Sequence, residues 1–180
     1  MKIRNILIAS AIICLTATRV NAQYSEYEVK AAYIFNFAKF IDWPADYLNQ
    51  DTIYLCIYKN DPFGIILEKT MIGRKVNGKV WKITRIKSLK EIDKCHMLFL
   101  SEIKQHEVIQ LLNNIGRKPI VTIGDELPIF CESGGIINFM SQFSDRQFAI
   151  NKDAADHIGI NISPKLLLLA KIIYNKEDEF

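Results

Sequence analysis

Apolar residues recur along this chain in two patterns, one typical of helices and one typical of buried strands. Residues 25–41 carry Val29, Tyr33, Phe37 and Ile41 at the spacing that places side chains on one face of a helix. Residues 95–100, by contrast, form a short and nearly unbroken apolar run, which is typical of a strand buried on both faces. The pattern therefore predicts a helix in the first region and a buried strand in the second.

The same patterns continue to the end of the chain. Ser101 is positioned to cap a helix that Gly116 ends, and Ser163-Pro164 is a residue pair that often begins one. Because buried strands alternate with helices, we expect a single α/β domain with a mainly parallel sheet and helices on both faces. The predicted helices are residues 25–41, 65–71, 102–115, 152–157 and 164–174, and the predicted strands are residues 52–58, 79–86, 95–100, 119–123, 136–141 and 147–150.

Residues 1–22 have the composition of a secretory signal peptide. Lys2 and Arg4 precede an apolar stretch at residues 5–17, and Val20-Asn21-Ala22 supplies the small residues of a cleavage site. The stretch is too short to cross a bilayer permanently, and no later run reaches the roughly 18 apolar residues that such a helix needs. We therefore predict cleavage after Ala22 and an exported, soluble domain at residues 23–180.

Removal of this leader changes the net charge. The full sequence has 23 basic and 20 acidic residues, but Lys2, Arg4 and Arg19 lie in the leader and no acidic residue does. The mature chain is therefore neutral, whereas a protein that binds nucleic acid usually keeps a basic excess to replace phosphate counterions. We do not expect nucleic acid as a partner.

Three cysteines, Cys56, Cys95 and Cys131, remain after Ala22. In an oxidising compartment two of three thiols commonly pair, and Cys56 and Cys95 lie in predicted strands that can be neighbours. A bridge between them would close a loop of about 40 residues and stabilise the fold by ~4 kcal/mol. The alternative is that all three are buried, reduced thiols.

No sequence signature of a catalytic or metal site is present. A nucleophilic site built from Cys131, His157 and Asp125 has no local motif behind it, and the histidines lack the paired spacing of metal ligands. Turns after two predicted strands are better binding candidates, because open α/β sheets bind ligands at the carboxyl ends of their strands. These candidates are Asp61, Phe63, Gly124 and Asp125, although turn formation alone would also account for them.

A further candidate is the apolar connection at residues 158–162, between the last two predicted helices. Such a segment is costly to leave in water. It is therefore expected either to be buried beneath the last helix or to form part of a partner-binding or dimer surface. In the second case Ile158, Ile160 and Ile162 would be the contacts.

Six short blocks, in a fixed order over nearly the whole mature chain, carry a family resemblance. They are residues 28–40 followed by Trp43-Pro44, residues 61–64, 95–101, 121–125 and 134–139, and Ile150-Asn151 leading into Ala154-Ala155. Together they resemble the YfiR-like family of small periplasmic regulators. The resemblance implies an α/β fold in the periplasm, with no enzymatic activity and no metal or other cofactor. It also implies that Cys56 and Cys95 form one of the disulfides of that family, whereas Cys131 has no mate.

The resemblance further implies a function, because the characterised role in that family is repression. The protein would bind the periplasmic sensor domain of an inner-membrane diguanylate cyclase and so lower cyclic-di-GMP and biofilm formation. Such a repressor acts by binding the inactive conformation of its target more tightly than the active one. A homodimer and an outer-membrane or peptidoglycan-associated protein that releases the repressor are further partners to test.

Two other functions are consistent with the sequence. One is a periplasmic module that binds a small ligand and has no cyclase partner, which specific ligand binding by the isolated protein would favour. The other is an uncharacterised hydrolase, which would have to lose turnover when Cys131 is replaced by alanine.

Overall fold

The computed structural model describes residues 26–47, 51–141 and 144–174. The predicted signal peptide and its cleavage site after Ala22 lie outside these residues. An eight-stranded sheet and a separate pair of short strands form the framework of the described chain. Within the described ranges, no helix combines the length and the apolar character needed to cross a membrane.

Helices and strands alternate along most of the chain. The elements are α1 (residues 26–39), β1 (Ile41–Asp42), a 3-10 turn (Ala45–Tyr47), β2 (Thr52–Tyr58), α2 (Ile66–Met71), β3 (Lys75–Val76), β4 (Lys79–Ile86), a 3-10 helix (Leu89–Lys94), β5 (Met97–Leu100), α3 (Gln105–Ile115), β6 (Val121–Asp125), β7 (Ile137–Phe139), β8 (Phe148–Asn151), α4 (Lys152–His157), β9 (Asn161–Ile162), α5 (Pro164–Leu167) and β10 (Lys171–Ile173).

The large sheet has the strand order β10-β8-β7-β6-β5-β2-β4-β3. Its five adjacent strands from β7 to β4 are parallel, and Cys56 of β2 lies opposite Leu98 of β5 and Thr84 of β4. At the two sides, β8 is antiparallel to β7 and β3 is antiparallel to β4. The prediction of a mainly parallel sheet in one α/β domain is therefore confirmed.

Two clusters of buried side chains cover the two faces of this sheet. On one face α1, α2, α4 and α5 contribute to a large cluster in which the ring of Phe37 lies 4.9 Å from Phe148 and 5.7 Å from Phe139. On the other face Val108 and Leu111 of α3 belong to a smaller cluster with residues of β5. Because β5 is buried between these two layers, its apolar run is unbroken.

The prediction of a last helix at residues 164–174 is wrong beyond its first turn. Ser163 caps α5, since its hydroxyl oxygen accepts from the Lys165 N–H, but the helix ends at Leu167. The chain then turns and forms β10, in which Ile172 lies opposite Ile150 of β8. Two β-branched isoleucines favour a strand, and their pairing with β8 outweighs the helical spacing of the leucines before them.

The prediction that Ser101 caps α3 is also wrong. Lys104 occupies the capping position, and its side chain makes no capping hydrogen bond. Glu102 has a positive φ of 49°, which a helix cannot contain, so α3 begins only at Gln105. At its other end, Gly116 terminates the helix with a φ of 57°, as predicted.

Candidate functional site

The carboxyl ends of β2, β5 and β6 form the edge at which the predicted candidates Asp61 and Asp125 lie. β2 and β5 are neighbours in the sheet. The chain continues from β2 to β4 on one side of this pair and from β5 to β6 on the other side. In an open α/β sheet, connections that diverge in this way leave a crevice between the two strands, which is where ligands commonly bind.

Side chains of the protein itself bridge this crevice. The Asn60 amide nitrogen donates to the Ser101 hydroxyl over 3.3 Å, and that hydroxyl is 3.4 Å from the carbonyl oxygen of Asn60. An ion pair of 2.7 Å between Lys59 and Glu107 also links the loop after β2 to α3. Ser101 is only 4% exposed, so its hydroxyl is engaged within the protein.

Arg85 of β4 holds Asp61 in place. Its Nε donates to Asp61 Oδ2 over 2.7 Å, and its other two nitrogens donate to the Glu68 carboxylate and to the Gly64 carbonyl oxygen. The bonds to Glu68 and Asp61 raise the pKa of Arg85, against the opposing effect of burial. The second carboxylate oxygen of Asp61 accepts from the Phe63 N–H over 2.9 Å. Both oxygens of Asp61 are therefore engaged within the protein.

Asp125 belongs to a second charged cluster, at the start of α1. Its two oxygens accept from Lys30 Nζ over 2.5 Å and from the Tyr27 hydroxyl over 3.0 Å. Lys30 Nζ also lies 2.5 Å from Glu26 and 3.3 Å from Glu126. Burial alone would lower the pKa of Lys30, but its bonds to Asp125 and Glu26 raise it. The side chains of Lys30 and Asp125 are 8% and 6% exposed, so they form a buried ion pair.

Tyr27 connects the two predicted motifs. Its ring packs edge-on against Phe63 with 5.2 Å between centroids, while its hydroxyl bonds to Asp125. Burial, followed by the charge of Asp125, raises the pKa of Tyr27, which keeps its proton on the phenol. The structure thus brings the turn at residues 61–64 and Asp125 together beneath α1.

Sequence reasoning missed the residues that hold these carboxylates, namely Tyr27, Lys30 and Arg85. Lys30 nevertheless carries a signal, because it lies one turn before Ile34 on the apolar face of α1. A charged residue on a buried face needs a partner of opposite charge. The partner itself, 95 residues further along the chain, has no comparable signal.

Two candidates at this edge are buried. Phe63 is 1% exposed, and its ring lies 4.8 Å from that of Phe99. A Cβ atom at Gly124 would lie 2.5 Å from the Asn138 side-chain oxygen and 3.0 Å from the Phe130 ring, so close packing accounts for the glycine. Neither residue presents a side chain at the surface of the described fold, and a binding role for them stays a prediction.

The apolar segment at residues 158–162 has two buried isoleucines, whereas Gly159 and Asn161 are exposed. Its strand β9 pairs with β1, so that Ile162 lies opposite Ile41. Ile160 and Ile162 are 1% and 2% exposed, whereas Ile158 is half-buried. Ile160 and Ile162 therefore belong to the core, and of the three isoleucines Ile158 keeps an exposed part that a partner would reach. A partner-binding role for the segment stays a prediction.

The predicted disulfide between Cys56 and Cys95 is confirmed. The two residues are bonded with their Cα atoms 5.8 Å apart, and both are buried near the amino end of β5. Disulfides persist in oxidising compartments, so this bond is consistent with an exported chain.

Cys131 remains a free, buried thiol. Burial raises its pKa to about 12, and the thiolate required of a nucleophile is therefore scarce at neutral pH. Of its hypothetical partners, Asp125 bonds to Lys30 instead, and His157 is exposed at the end of α4. Across residues 26–47, 51–141 and 144–174, no group of three His, Cys, Asp or Glu residues is arranged to hold a metal ion.

Three aromatic side chains surround the short segment Cys95-His96. The Tyr47 hydroxyl donates to the Cys95 carbonyl oxygen over 2.6 Å, and Trp43 Nε1 donates to the His96 carbonyl oxygen over 3.3 Å. The Tyr54 N–H donates to His96 Nδ1 over 3.2 Å, and the two rings stack within 10° of parallel. Burial lowers the pKa of His96, and the opposing effect of the Tyr47 backbone is smaller.

A comparison with protein families gives one match. The family model described as YfiR/HmsC-like matches residues 27–171, a region that includes the disulfide and both charged clusters except Glu26. No curated protein is similar enough to the chain to count as a match.

Proposed function

Because the chain belongs to the YfiR/HmsC-like family, we propose that it is a periplasmic repressor that binds the sensor domain of an inner-membrane diguanylate cyclase. Membership supports, at the level of the family, a periplasmic regulator of such a cyclase. We propose in addition that the protein represses one particular cyclase and so lowers cyclic-di-GMP and biofilm formation. The family match over residues 27–171 is the observation that carries it.

A repressor of this kind works through differential binding. Only its preference for the inactive over the active conformation of the sensor domain shifts the equilibrium. A preference of about 2.7 kcal/mol would change the ratio of the two conformations a hundredfold at saturation. An external signal then raises cyclase activity by removing the repressor. A releasing protein and a homodimer stay predictions.

We assign the cyclase contact to the turn between α5 and β10. Leu168 and Leu169 are 75% and 57% exposed there, and adjacent exposed leucines are typical of a surface that a partner covers. Arg146 donates to the Leu168 carbonyl oxygen over 2.9 Å, which fixes the turn. Among the predicted candidates, Asp61 and Ile158 keep part of their surface, and we retain them as secondary contacts.

The experiment is complementation in the native host. Deleting the gene should raise cyclic-di-GMP, and the wild-type chain should restore the original level. The double variant Leu168→Glu and Leu169→Glu should fail to restore it, whereas Ile109→Glu, which alters an exposed isoleucine of α3, should succeed. An unchanged cyclic-di-GMP level after deletion, with the candidate cyclase expressed, would contradict the proposal and favour a module that binds a small ligand.

A further inference from the structure

The outer edge of β4 is unpaired over most of its length. β3 pairs only with Lys79 and Val80, and no other described strand lies beside β4 on that side. The main-chain N–H of Val80 and the carbonyl oxygen of Ile86 bond on the β2 side, to Asp51 and Lys59. The N–H and C=O groups of successive residues in a strand point to opposite sides. Because those of the even-numbered residues Val80 and Ile86 point towards β2, those of Ile83 point away from it. Such an edge can accept another strand.

A basic groove lies on one face of the sheet beside this edge. It has a volume of about 500 Å³, and its charged lining consists of Lys82, Lys90 and Lys94 together with Glu91 and Asp93, so basic side chains outnumber acidic ones. Within the described part of the chain, none of the three lysines forms an ion pair. Lys82 Nζ lies 5.6 Å from the centre of the Tyr54 ring. The groove therefore offers unpaired positive charges to an acidic group.

An apolar groove lies on the other face of the same edge. It has a volume of about 340 Å³ and is lined in part by Met71, Ile72, Trp81 and Ile83. Ile72 is 80% exposed, although it is one of the largest apolar side chains of this region. Successive side chains of a strand point to opposite faces, so a strand added beside β4 would direct alternate side chains into the two grooves.

The charge of this region determines which kind of strand fits. Residues 69–94 contain nine basic and two acidic residues, whereas the rest of the sequence contains 14 basic and 18 acidic residues. A second copy that paired through its own β4 would bring like charges together, which disfavours a dimer through this edge. An acidic strand from another protein is complementary instead.

We propose that the outer edge of β4 is a docking surface for an extended segment of another protein in which acidic and apolar residues alternate. The segment adds to the sheet as a strand and bonds to the main chain at Ile83. Its acidic side chains enter the basic groove, and its apolar side chains enter the apolar groove. This edge is at the opposite side of the sheet from β10, so the docking surface is separate from the proposed cyclase contact and does not depend on it.

The first test uses a fluorescein-labelled peptide of alternating glutamate and valine, followed by fluorescence anisotropy. It should bind the wild-type protein, and a peptide of alternating lysine and valine should not. Ile83→Pro removes an outward N–H and part of the apolar-groove lining, while the neighbouring residues that face β2 keep their N–H groups, so it should weaken binding about tenfold. Ile83→Val keeps the N–H and should bind as the wild type does.

A second pair of variants tests the basic groove. Lys82→Glu with Lys90→Glu should also weaken binding of the glutamate peptide by about tenfold or more. Arg117→Glu is the matched control, since Arg117 is exposed in the turn after α3, and it should have little effect. If Ile83→Pro does not fold, amide hydrogen exchange of the wild type replaces it: the Ile83 amide should exchange more slowly once the peptide is bound.

Four results would overturn the proposal. The first is equal binding of the two peptides, and the second is binding that neither set of variants weakens. The third is binding of anionic phosphatidylglycerol vesicles, lost with Lys82→Glu and Lys90→Glu, without any binding of the glutamate peptide. In that case the lysines serve a membrane surface. The fourth is absence of binding to both the peptides and the vesicles. In that case the lysines only protect the edge strand β4 from aggregation.

Discussion

The two ends of the central strands β2 and β5 are held in different ways. At the carboxyl ends, charged and polar side chains bond to one another, as in the contact between Asn60 and Ser101 and, at the end of the neighbouring strand β6, the buried pair of Lys30 with Asp125. Towards the amino end of β5, the disulfide and three aromatic side chains surround the segment Cys95-His96. One end depends on charge and the other on a covalent bond and packing.

This difference bears on where the protein meets its partners. In open α/β sheets the carboxyl ends usually offer free polar groups to a ligand, but here the polar groups of Asp61, Ser101 and Asp125 are bonded within the protein. These groups are therefore not free to bind a ligand. The turn after α5 and the edge of β4, where we place the two proposed contacts, lie at the two sides of the sheet.

The largest expected effect comes from removing the disulfide. The double variant Cys56→Ser and Cys95→Ser should lower the free energy of unfolding by ~4 kcal/mol, because the bond closes a loop with a sequence separation of 39 residues. Urea unfolding monitored by tryptophan fluorescence measures this. Reductant should destabilise the wild type by a similar amount and leave the variant unchanged. A loss below about 1 kcal/mol would mean that aromatic packing alone holds the amino end.

A smaller loss of unfolding free energy is expected from removing the ion pair at the carboxyl end. Lys30→Met keeps most of the aliphatic stem but leaves the buried Asp125 carboxylate without its cation, so unfolding should become easier by about 3 kcal/mol. Lys39→Met, on the exposed side of the same helix, is the matched control and should cost about 1 kcal/mol or less, since it loses only a contact with the Phe35 ring. Equal losses in the two variants, measured by urea unfolding, would show that the Lys30 cluster is not a special feature of this end.

The elements with a clear local pattern could be predicted from the sequence. β2, β4 and α4 have the predicted bounds, because alternation, a preceding turn or a capping residue marks each of them locally. β10 could not be predicted, because the apolar run at residues 166–173 is compatible with both helix and strand. Its conformation is decided by pairing with β8, a contact that local spacing does not encode.

The candidate site divides in the same way. The position of Asp61 and Asp125 at or just after the carboxyl end of a strand could be predicted from residue type, and a binding role for them stays a prediction. Their partners Arg85 and Lys30 could not, since ion pairs form across 24 and 95 residues of chain. The burial of Ile160 and Ile162 was one of two open alternatives, because an apolar segment is equally suited to a core and to an interface.

The smallest expected effect is a change in folding stability with pH, which should differ between the two ends. Burial lowers the pKa of His96 in the folded protein, so the unfolded chain takes up the proton first as the pH falls below about 6.5. The unfolded state then binds more protons, and stability falls on acidification by about 1.4 kcal/mol for each unit between the two pKa values. Lys30 stays protonated over the same range because its pKa is raised, so the expected effect of mild acid is on the amino end, through His96.

Urea unfolding between about pH 7.5 and about pH 5.5 measures this slope. His96→Gln keeps a side-chain acceptor for the Tyr54 N–H but does not titrate, so its stability should change less with pH than that of the wild type. His157→Gln removes an exposed histidine and should leave the slope as it is. The same slope in all three proteins would mean that acid acts on the carboxylate clusters instead, and that the carboxyl end is the first to weaken.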